Sequence, residues 1–178
     1  MLITGCSLTF HQKQSIDMLI PNPAERAPML SIQSITAFYN GDNTDIPQGA
    51  QSFQAMVHND GKMVKISMLT PEGLRFWTIN FDGQNVDEQR FITLPSHLQA
   101  HHILNSVALI FWPESSILSK YPQWKIVSEN MKRRIYDSRT NENLYTIQTV
   151  KKTNDQTSIS FYDHTKQYRL LIVAKDIR

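Results

Sequence analysis

The stretch FQAMVHNDGKMVKISM, residues 53–68, decides the fold, because it combines two alternating segments with a tight turn. Apolar side chains occupy every second position from Phe53 to Val57 and again from Val64 to Met68. The intervening Asn59-Asp60-Gly61 supplies residues that tolerate a positive φ. Alternation with a period of two is typical of a strand that buries one face. The stretch therefore predicts a β-hairpin.

The same pattern continues on both sides of this hairpin. Turn residues at 71–73 and 82–83 separate a strand over residues 74–81 from a return strand that runs towards Leu94. Upstream, residues 31–39 alternate less regularly and end in turn formers. Because the connections are short, these strands are expected to form an antiparallel meander.

The hydrophobic period then changes to that of a helix. Apolar side chains recur at 3.6-residue spacing from Ala100 to Phe111. This spacing predicts a helix from Ser96, as the N-cap, to about Ile110, ended by Pro113. A second, shorter helix is predicted over Glu114 to Tyr121. Both helices interrupt the strand pattern.

Strands resume after the second helix, separated by turn residues. They are predicted over Trp124 to Ser128, Arg133 to Ser138, Leu144 to Lys151, Thr157 to Tyr162 and Tyr168 to Ala174. The predicted class is therefore α+β, with antiparallel strands, one helical insertion and further strands. Residues 31–178 form a single domain in this interpretation, and the proline-containing residues 1–30 form a tether and irregular lead-in.

Composition excludes several classes of protein. The 178 residues are of single-domain size, and 18 Lys plus Arg against 16 Asp plus Glu leave a net charge of +2. That balance does not favour nucleic-acid binding. A single cysteine excludes an internal disulfide. No apolar run approaches the ~20 residues of a membrane-spanning helix, so any attachment to a membrane is expected through lipid or a surface loop.

The one cysteine, Cys6, follows Ile3-Thr4-Gly5. This order fits the end of a bacterial lipoprotein signal peptide, whose cysteine receives the lipid. Only five residues precede Cys6, which is shorter than the ~7–15-residue apolar region of a secretory signal. Two interpretations follow: a lipidated Cys6 behind the remnant of a signal peptide, or a chance match on a free thiol. We favour lipidation, because the cysteine is N-terminal and the sequence contains no other cysteine.

The segment from Ser106 to Pro113, preceded by Ile103-Leu104, resembles the most characteristic segment of a family of bacterial outer-membrane lipoproteins. That family, of unassigned function, is grouped with the LolA/LolB lipoprotein carriers and is often encoded beside fatty-acid-synthase-like clusters for aryl polyenes. Where the family commonly has an acidic residue, this chain has Asn105 or Ser106. Further similar segments follow in the same order: Leu69-Thr70-Pro71-Glu72-Gly73, Arg75-Phe76, Trp124-Lys125-Ile126, Arg133-Arg134-Ile135 and Tyr168-Arg169-Leu170-Leu171-Ile172.

The resemblance implies a half-open antiparallel β-barrel with a helical lid inserted between two groups of strands. It also implies a function: an outer-membrane-anchored lipoprotein on the periplasmic face that binds an acylated or polyene lipid, or a lipoprotein acyl chain, in an apolar cavity. Such a protein would pass its cargo to the membrane without catalysis or cofactor. A periplasmic LolA-like carrier is an implied partner, and the basic residues 132–134 and 151–152 could dock it or could simply protect a strand edge.

Large apolar residues on the sheet and on the predicted lid are the candidates for lining this cavity. The alternative, which the stripes alone favour, is that they form an ordinary core. Leu69 and Leu74 flank a turn and are candidates for a membrane-facing loop, but the short turn favours the alternative, an ordinary turn with inward-pointing leucines. The cavity candidates are Phe53, Met63, Met68, Phe76, Trp77, Phe81, Ile103, Leu104, Val107, Ala108, Phe111 and Trp112.

Enzymatic signatures are weak. The adjacent His101 and His102 project about 100° apart on a helix, which does not suit a shared metal ion. Ser106 and His102 are four residues apart and could hydrogen-bond, although a triad also needs an acid and an oxyanion hole. An acyl-ester hydrolase or thioesterase on a similar scaffold is therefore the alternative function, with no catalytic or metal-binding residues assigned.

Overall fold

A computed structural model describes residues 10–14, 20–39, 49–94, 98–153 and 155–176 of the chain. Cys6 and the lipidation predicted for it lie outside these ranges, as does Ser96. Two helices are described, α1 (Ala100–Phe111) and α2 (Glu114–Lys120). The strands are β1 (Phe10–Gln14), β2 (Met29–Tyr39), β3 (Gly49–Asn59), β4 (Val64–Leu69), β5 (Arg75–Phe81), β6 (Val86–Arg90), β7 (Trp124–Glu129), β8 (Lys132–Asp137), β9 (Asn143–Lys151), β10 (Gln156–Asp163) and β11 (Tyr168–Asp176).

All strands belong to one 11-stranded antiparallel sheet, in the order β1-β6-β5-β4-β3-β2-β11-β10-β9-β8-β7. Strands β2–β6 and β7–β11 each form a meander, and β1 pairs with β6 at the outer edge of the first. The two meanders join where β2 pairs with β11, for example Ile35 with Ile172. Within the described ranges the sheet is open, with β1 and β7 as its edges. The predicted α+β class, the hairpin and the helical insertion are confirmed.

One predicted boundary is wrong, and one strand was not predicted. Helix α1 begins at Ala100, its N-cap is Gln99 rather than Ser96, and the Gln99 side chain makes no capping hydrogen bond. The second difference is β1, which lies within the segment predicted as a tether and pairs with β6. Downstream of β1, Ile20 is 5% exposed and belongs to the core. The described sheet and core thus include residues N-terminal to position 29, which the alternation did not indicate.

One face of the sheet carries most of the buried apolar side chains of the described residues, and α1 packs against that face. Three contacts fix the position of α1. The Ser106 Oγ is 2.9 Å from the Tyr168 hydroxyl on β11. Arg133 on β8 donates to the carbonyl oxygens of Leu109 and Trp112 at 3.0 and 3.2 Å. Because a helix ends in unsatisfied carbonyl groups, the guanidinium satisfies acceptors and complements the helix dipole at once.

Strand alternation divides the basic run at residues 132–134. Arg133 pairs with the buried Ile147 across β8 and β9, so its side chain lies on the inner face. There it also forms an ion pair with Glu114, 3.6 Å between Nε and Oε1. Burial lowers the pKa of Arg133, and the charge of Glu114 opposes that shift. The run is therefore not one continuous basic surface.

Aromatic side chains fill the inner face on the β7–β10 side. The Tyr121 and Trp124 rings stack 3.7 Å apart at an interplanar angle of 2°. The series continues through Tyr145 and Phe161 to Tyr168, with successive ring centroids 5.7–6.0 Å apart. Contacts of this kind stabilise a core beyond their buried area. Aromatic rings in mutual contact therefore occupy much of this half of the inner face.

Candidate functional site

A cavity of about 590 Å³ lies between α1 and the inner face of the other half of the sheet. This volume is within the ~300–1,000 Å³ typical of ligand pockets. Its walls come from β2–β5, β11, α1 and the segment before α1, and most lining side chains are apolar. The lining residues of the sheet floor are Gln33, Ile35, Ala37, Phe53, Ala55, Val57, Ile66, Met68, Leu170 and Ile172.

Small side chains explain why the cavity is there. Ala37 and Ala55 are 1% and 3% exposed and lie on the floor. On the opposite half of the same face, the buried Phe161 stacks against Tyr145. The side chains of the inner face are therefore large on one half of the sheet and small on the other. The cavity lies on the half that has the small side chains.

Some of the predicted cavity residues do line it: Phe53, Met68, Phe76, Ile103 and Val107. Phe76 does so through an irregularity, because the β4–β5 register shifts between Met68 and Leu69 and leaves Phe76 without a paired residue. The structure therefore brings together residues from two strands, a bulge and the helix, as a lid over a sheet requires.

The other predicted residues lie elsewhere. Met63 is 40% exposed in the β3–β4 turn. Trp77 is fully buried, and its indole Nε1 donates to the Glu88 carboxylate at 2.9 Å. Trp112 is also buried and donates to the Asn22 carbonyl oxygen at 3.1 Å. The remaining ones belong to the packed core beside the cavity: Phe81, Leu104, Ala108 and Phe111. These large side chains fill space instead of surrounding it.

Sequence reasoning missed most of the floor. Ala55 faces Met68 across β3 and β4, and Ile35 faces Phe53 across β2 and β3. The hairpin alternation already placed Ala55 on the same face as Phe53. The alternation therefore contained the information needed to place Ala55. Bulky residues were predicted as the cavity walls, although small residues are the ones that leave space for a cavity.

One polar side chain lies on the floor of the cavity. Gln33 is 2% exposed, and its Nε2 has no hydrogen-bond partner. A buried donor without a partner costs about 1–3 kcal/mol. Gln33 thus gives the apolar floor a single hydrogen-bonding group.

The outer end of the cavity is polar and exposed. Gln51, Ser52 and Gln99 line it and reach solvent, together with Lys166 from the turn between β10 and β11. Partial burial lowers the pKa of Lys166, and the charge of Asp163 opposes that shift. The cavity therefore has a hydrogen-bonding mouth and an apolar interior.

The serine considered for hydrolysis has structural partners. Ser106 is 7% exposed, and its Oγ donates to the main-chain carbonyl oxygen of His102 at 2.9 Å. Because a hydroxyl has only one proton to donate, the Tyr168 hydroxyl is then the donor in the second contact. The first contact lies within α1, and the second links α1 to β11.

Buried phenols lie next to this contact. Burial raises the pKa of Tyr145 to about 12, with further contributions from the nearby Asp163 charge and from Tyr121. Burial also raises the pKa of Tyr121, whose hydroxyl donates to Asn105 Oδ1 on α1 at 3.4 Å. These phenols are neutral hydrogen-bonding groups at physiological pH.

The turn between β4 and β5 exposes one of its two leucines. Leu74 is 70% exposed, whereas Leu69 is half-buried at the end of β4. A positive φ of 88° at Gly73 allows the tight turn. Nearby, Phe91 and Ile92 are 43% and 54% exposed, and Ile92 also lines the cavity mouth. The inward alternative for Leu74 is wrong, and apolar side chains border the mouth.

Within the described ranges, no group of three or more His, Cys, Asp or Glu side chains is placed to hold a metal ion. Neither described helix combines the length and the apolar composition needed to cross a membrane.

The profile of one protein family matches the chain. That family is described as "Protein of unknown function (DUF3261)", and the match covers residues 33–176. Because it spans most of the sequence, the protein belongs to this family. No curated protein and no solved structure matches the chain.

Proposed function

We propose that this member of the DUF3261 family binds the hydrocarbon chain of an acylated or polyene lipid in the cavity beneath α1 and passes it to a membrane without catalysis. The observation that carries the proposal is an apolar cavity of about 590 Å³ between α1 and the inner face of the sheet. A protein that needed only a core would gain stability by filling that space, since larger side chains there would bury more apolar surface.

Burial of hydrocarbon supplies the binding energy. Each methylene removed from water contributes ~0.8 kcal/mol, so about twelve contribute ~10 kcal/mol before the costs of association. Those costs are estimated at about 4–15 kcal/mol. The net affinity is then moderate, which suits a protein that must release its ligand to a membrane.

In this proposal the open sheet is a half-open barrel and α1 is its lid. The C-terminal end of α1 is fixed by Arg133 and by the buried Trp112, whereas Gln99 and Ile103 lie over the cavity nearer its mouth. Opening therefore occurs at the N-terminal end of α1, where the Gln99 cap contributes no side-chain hydrogen bond.

Delivery to the membrane would use the apolar side chains beside the mouth. Leu74, Phe91 and Ile92 are exposed there, and Arg75 lies over the Phe91 ring at 5.1 Å from its centroid. Apolar side chains with an adjacent cation suit the interface of an anionic bilayer. The lipid anchor at Cys6, a location on the periplasmic face of the outer membrane and docking of a LolA-like carrier are further parts of the proposal that rest on the resemblance.

Native mass spectrometry tests the proposal. The protein is incubated with a bacterial outer-membrane lipid extract and then desalted. We expect one retained lipid per chain, displaced by excess dodecanoate. Absence of any retained lipid, together with no rise in melting temperature at saturating dodecanoate, would overturn it.

The same samples test the hydrolase alternative. We expect no turnover of a p-nitrophenyl acyl ester by the wild-type protein, and unchanged lipid retention by Ser106→Ala. Turnover that Ser106→Ala abolishes would replace the carrier with an enzyme.

A further inference from the structure

We propose that Lys166 binds the negatively charged head group of the ligand, so that the protein selects anionic amphiphiles over neutral ones of equal chain length. This inference rests on the proposed function and names the ligand class. It concerns a binding subsite at the mouth, separate from the apolar floor that takes the chain.

The charge of the lining is the first observation. Among the lining residues that the structure describes, Lys166 is the only lysine, arginine, aspartate or glutamate. No carboxylate from the described part of the chain therefore faces the ligand inside the cavity. A single positive charge beside a low-dielectric interior attracts an anion more strongly than the same charge on an open surface does.

The nearest acidic group has a structural role. Asp163 is 3% exposed, and its Oδ1 accepts hydrogen bonds from the Thr165 and Lys166 backbone nitrogens at 2.8 and 2.9 Å. The Thr165 hydroxyl donates to the same oxygen at 2.6 Å. These bonds shape the turn that presents Lys166 at the mouth. The carboxylate attracts the ammonium from beneath the turn, but it does not line the cavity.

The arrangement of polarity gives the ligand an orientation. Val57, Ile66 and Ile172 are nearly fully buried on the floor, whereas Gln51, Ser52 and Gln99 are exposed at the same end as Lys166. A hydrocarbon chain gains most on the floor, and a charged head group keeps its hydration and hydrogen bonds only at the mouth. The ligand therefore enters chain first and leaves its head group beside Lys166.

The ligand class that fits is a single hydrocarbon chain ending in a carboxylate or a phosphate. Both groups accept several hydrogen bonds from an ammonium and from neighbouring amides. Because Lys166 is exposed, the pair is partly screened, and its removal is expected to weaken binding about three- to tenfold.

The test compares ligands of one chain length in the full-length protein. Dissociation constants for dodecanoate, dodecyl phosphate and dodecanol are measured by isothermal titration calorimetry at pH 8 and low salt. The variants are Lys166→Gln and Lys166→Glu. Lys125→Gln is the matched control, because Lys125 is exposed on β7 and does not line the cavity.

We expect Lys166→Gln to weaken binding of both anions about three- to tenfold and Lys166→Glu to weaken it further, with dodecanol unchanged. Lys125→Gln should bind all three ligands as the wild type does. The anion that loses more identifies a carboxylate or a phosphate as the preferred head group. If the wild type and Lys166→Gln bind each of the three ligands with the same affinity, the head-group site is overturned. The proposed carrier function is not affected by that result. Failure of every ligand to bind the wild type overturns both.

Discussion

Replacing Ala55 by phenylalanine should stabilise the protein while weakening its binding of hydrocarbon. Ala55 is 3% exposed on the cavity floor. Burying a phenylalanine side chain contributes ~1.5–3 kcal/mol, and the methyl group it replaces contributed ~0.8 kcal/mol, so the net gain is about 1–2 kcal/mol. For a domain of this size that gain raises the melting temperature by roughly 2–8 °C. The ring would also occupy the space of about three methylenes of the ligand. Their displacement removes ~2.4 kcal/mol of binding free energy and weakens binding roughly 50-fold.

The matched control is Ala174→Phe. Ala174 is also 3% exposed, and both alanines are cross-strand neighbours of Gln33, but Ala174 does not line the cavity. A ring forced into a packed site costs about 1–3 kcal/mol. Thermal unfolding of the two variants, with and without dodecanoate at about 100 times its dissociation constant, should therefore give shifts of opposite sign without ligand. Ligand at that concentration adds ~2.7 kcal/mol, or about 5–11 °C for the wild type. Destabilisation by Ala55→Phe equal to that by Ala174→Phe would show that the space is not available and would refute the reasoning.

Three further outcomes are expected. Leu74→Glu should slow transfer of a fluorescent fatty acid to anionic vesicles several-fold at unchanged affinity. Val150→Glu, a change at another exposed apolar residue away from the mouth, should not, and equal rates for the two variants would contradict a role at the membrane. Arg133→Met leaves helix carbonyl groups unsatisfied and should lower the free energy of unfolding in urea by about 1–3 kcal/mol. An unchanged free energy of unfolding would contradict a stabilising role for these two hydrogen bonds. In an NMR titration, the pKa of His101 should lie below its ordinary value, because burial and then the Lys166 charge disfavour the imidazolium. The stability that neutral His101 contributes is present above pH ~6.5 and is lost as the pH falls through the folded-state pKa. Lys166→Gln should raise the pKa of His101. An unchanged pKa in this variant would contradict the electrostatic interaction between His101 and Lys166.

Much of the sheet follows from local pattern. The hairpin at residues 53–68 could be predicted because alternation and turn chemistry act within a few residues. Strand β1 could not, since FHQKQ has no apolar alternation and pairs with β6 only because that edge is available. The start of α1 also differs from the predicted start, because contact with the core determines it. Ser96 is a better intrinsic cap than Gln99, yet the helix begins where Ala100 reaches the core.

The cavity depends on relations that a single strand does not contain. Phe53 and Met68 could be placed on the inner face from alternation alone. That Ala37 and Ala55 leave room, while Tyr145 and Phe161 fill the other half, depends on the pairing of β2 with β11 and on the position of α1. Trp77 shows the converse case, because a large side chain predicted as a cavity wall instead packs fully and pairs with Glu88.

Methyl NMR of the protein labelled at its methionine methyl groups tests the central claim most directly. Met68 is 3% exposed and lines the cavity, whereas Met56 is 40% exposed on the opposite face of the sheet. With saturating dodecanoate, we predict nuclear Overhauser effects from the chain methylenes to the Met68 methyl group and none to that of Met56. Contacts to Met56 alone, or a bound ligand that leaves Met68 unchanged, would contradict binding within the cavity.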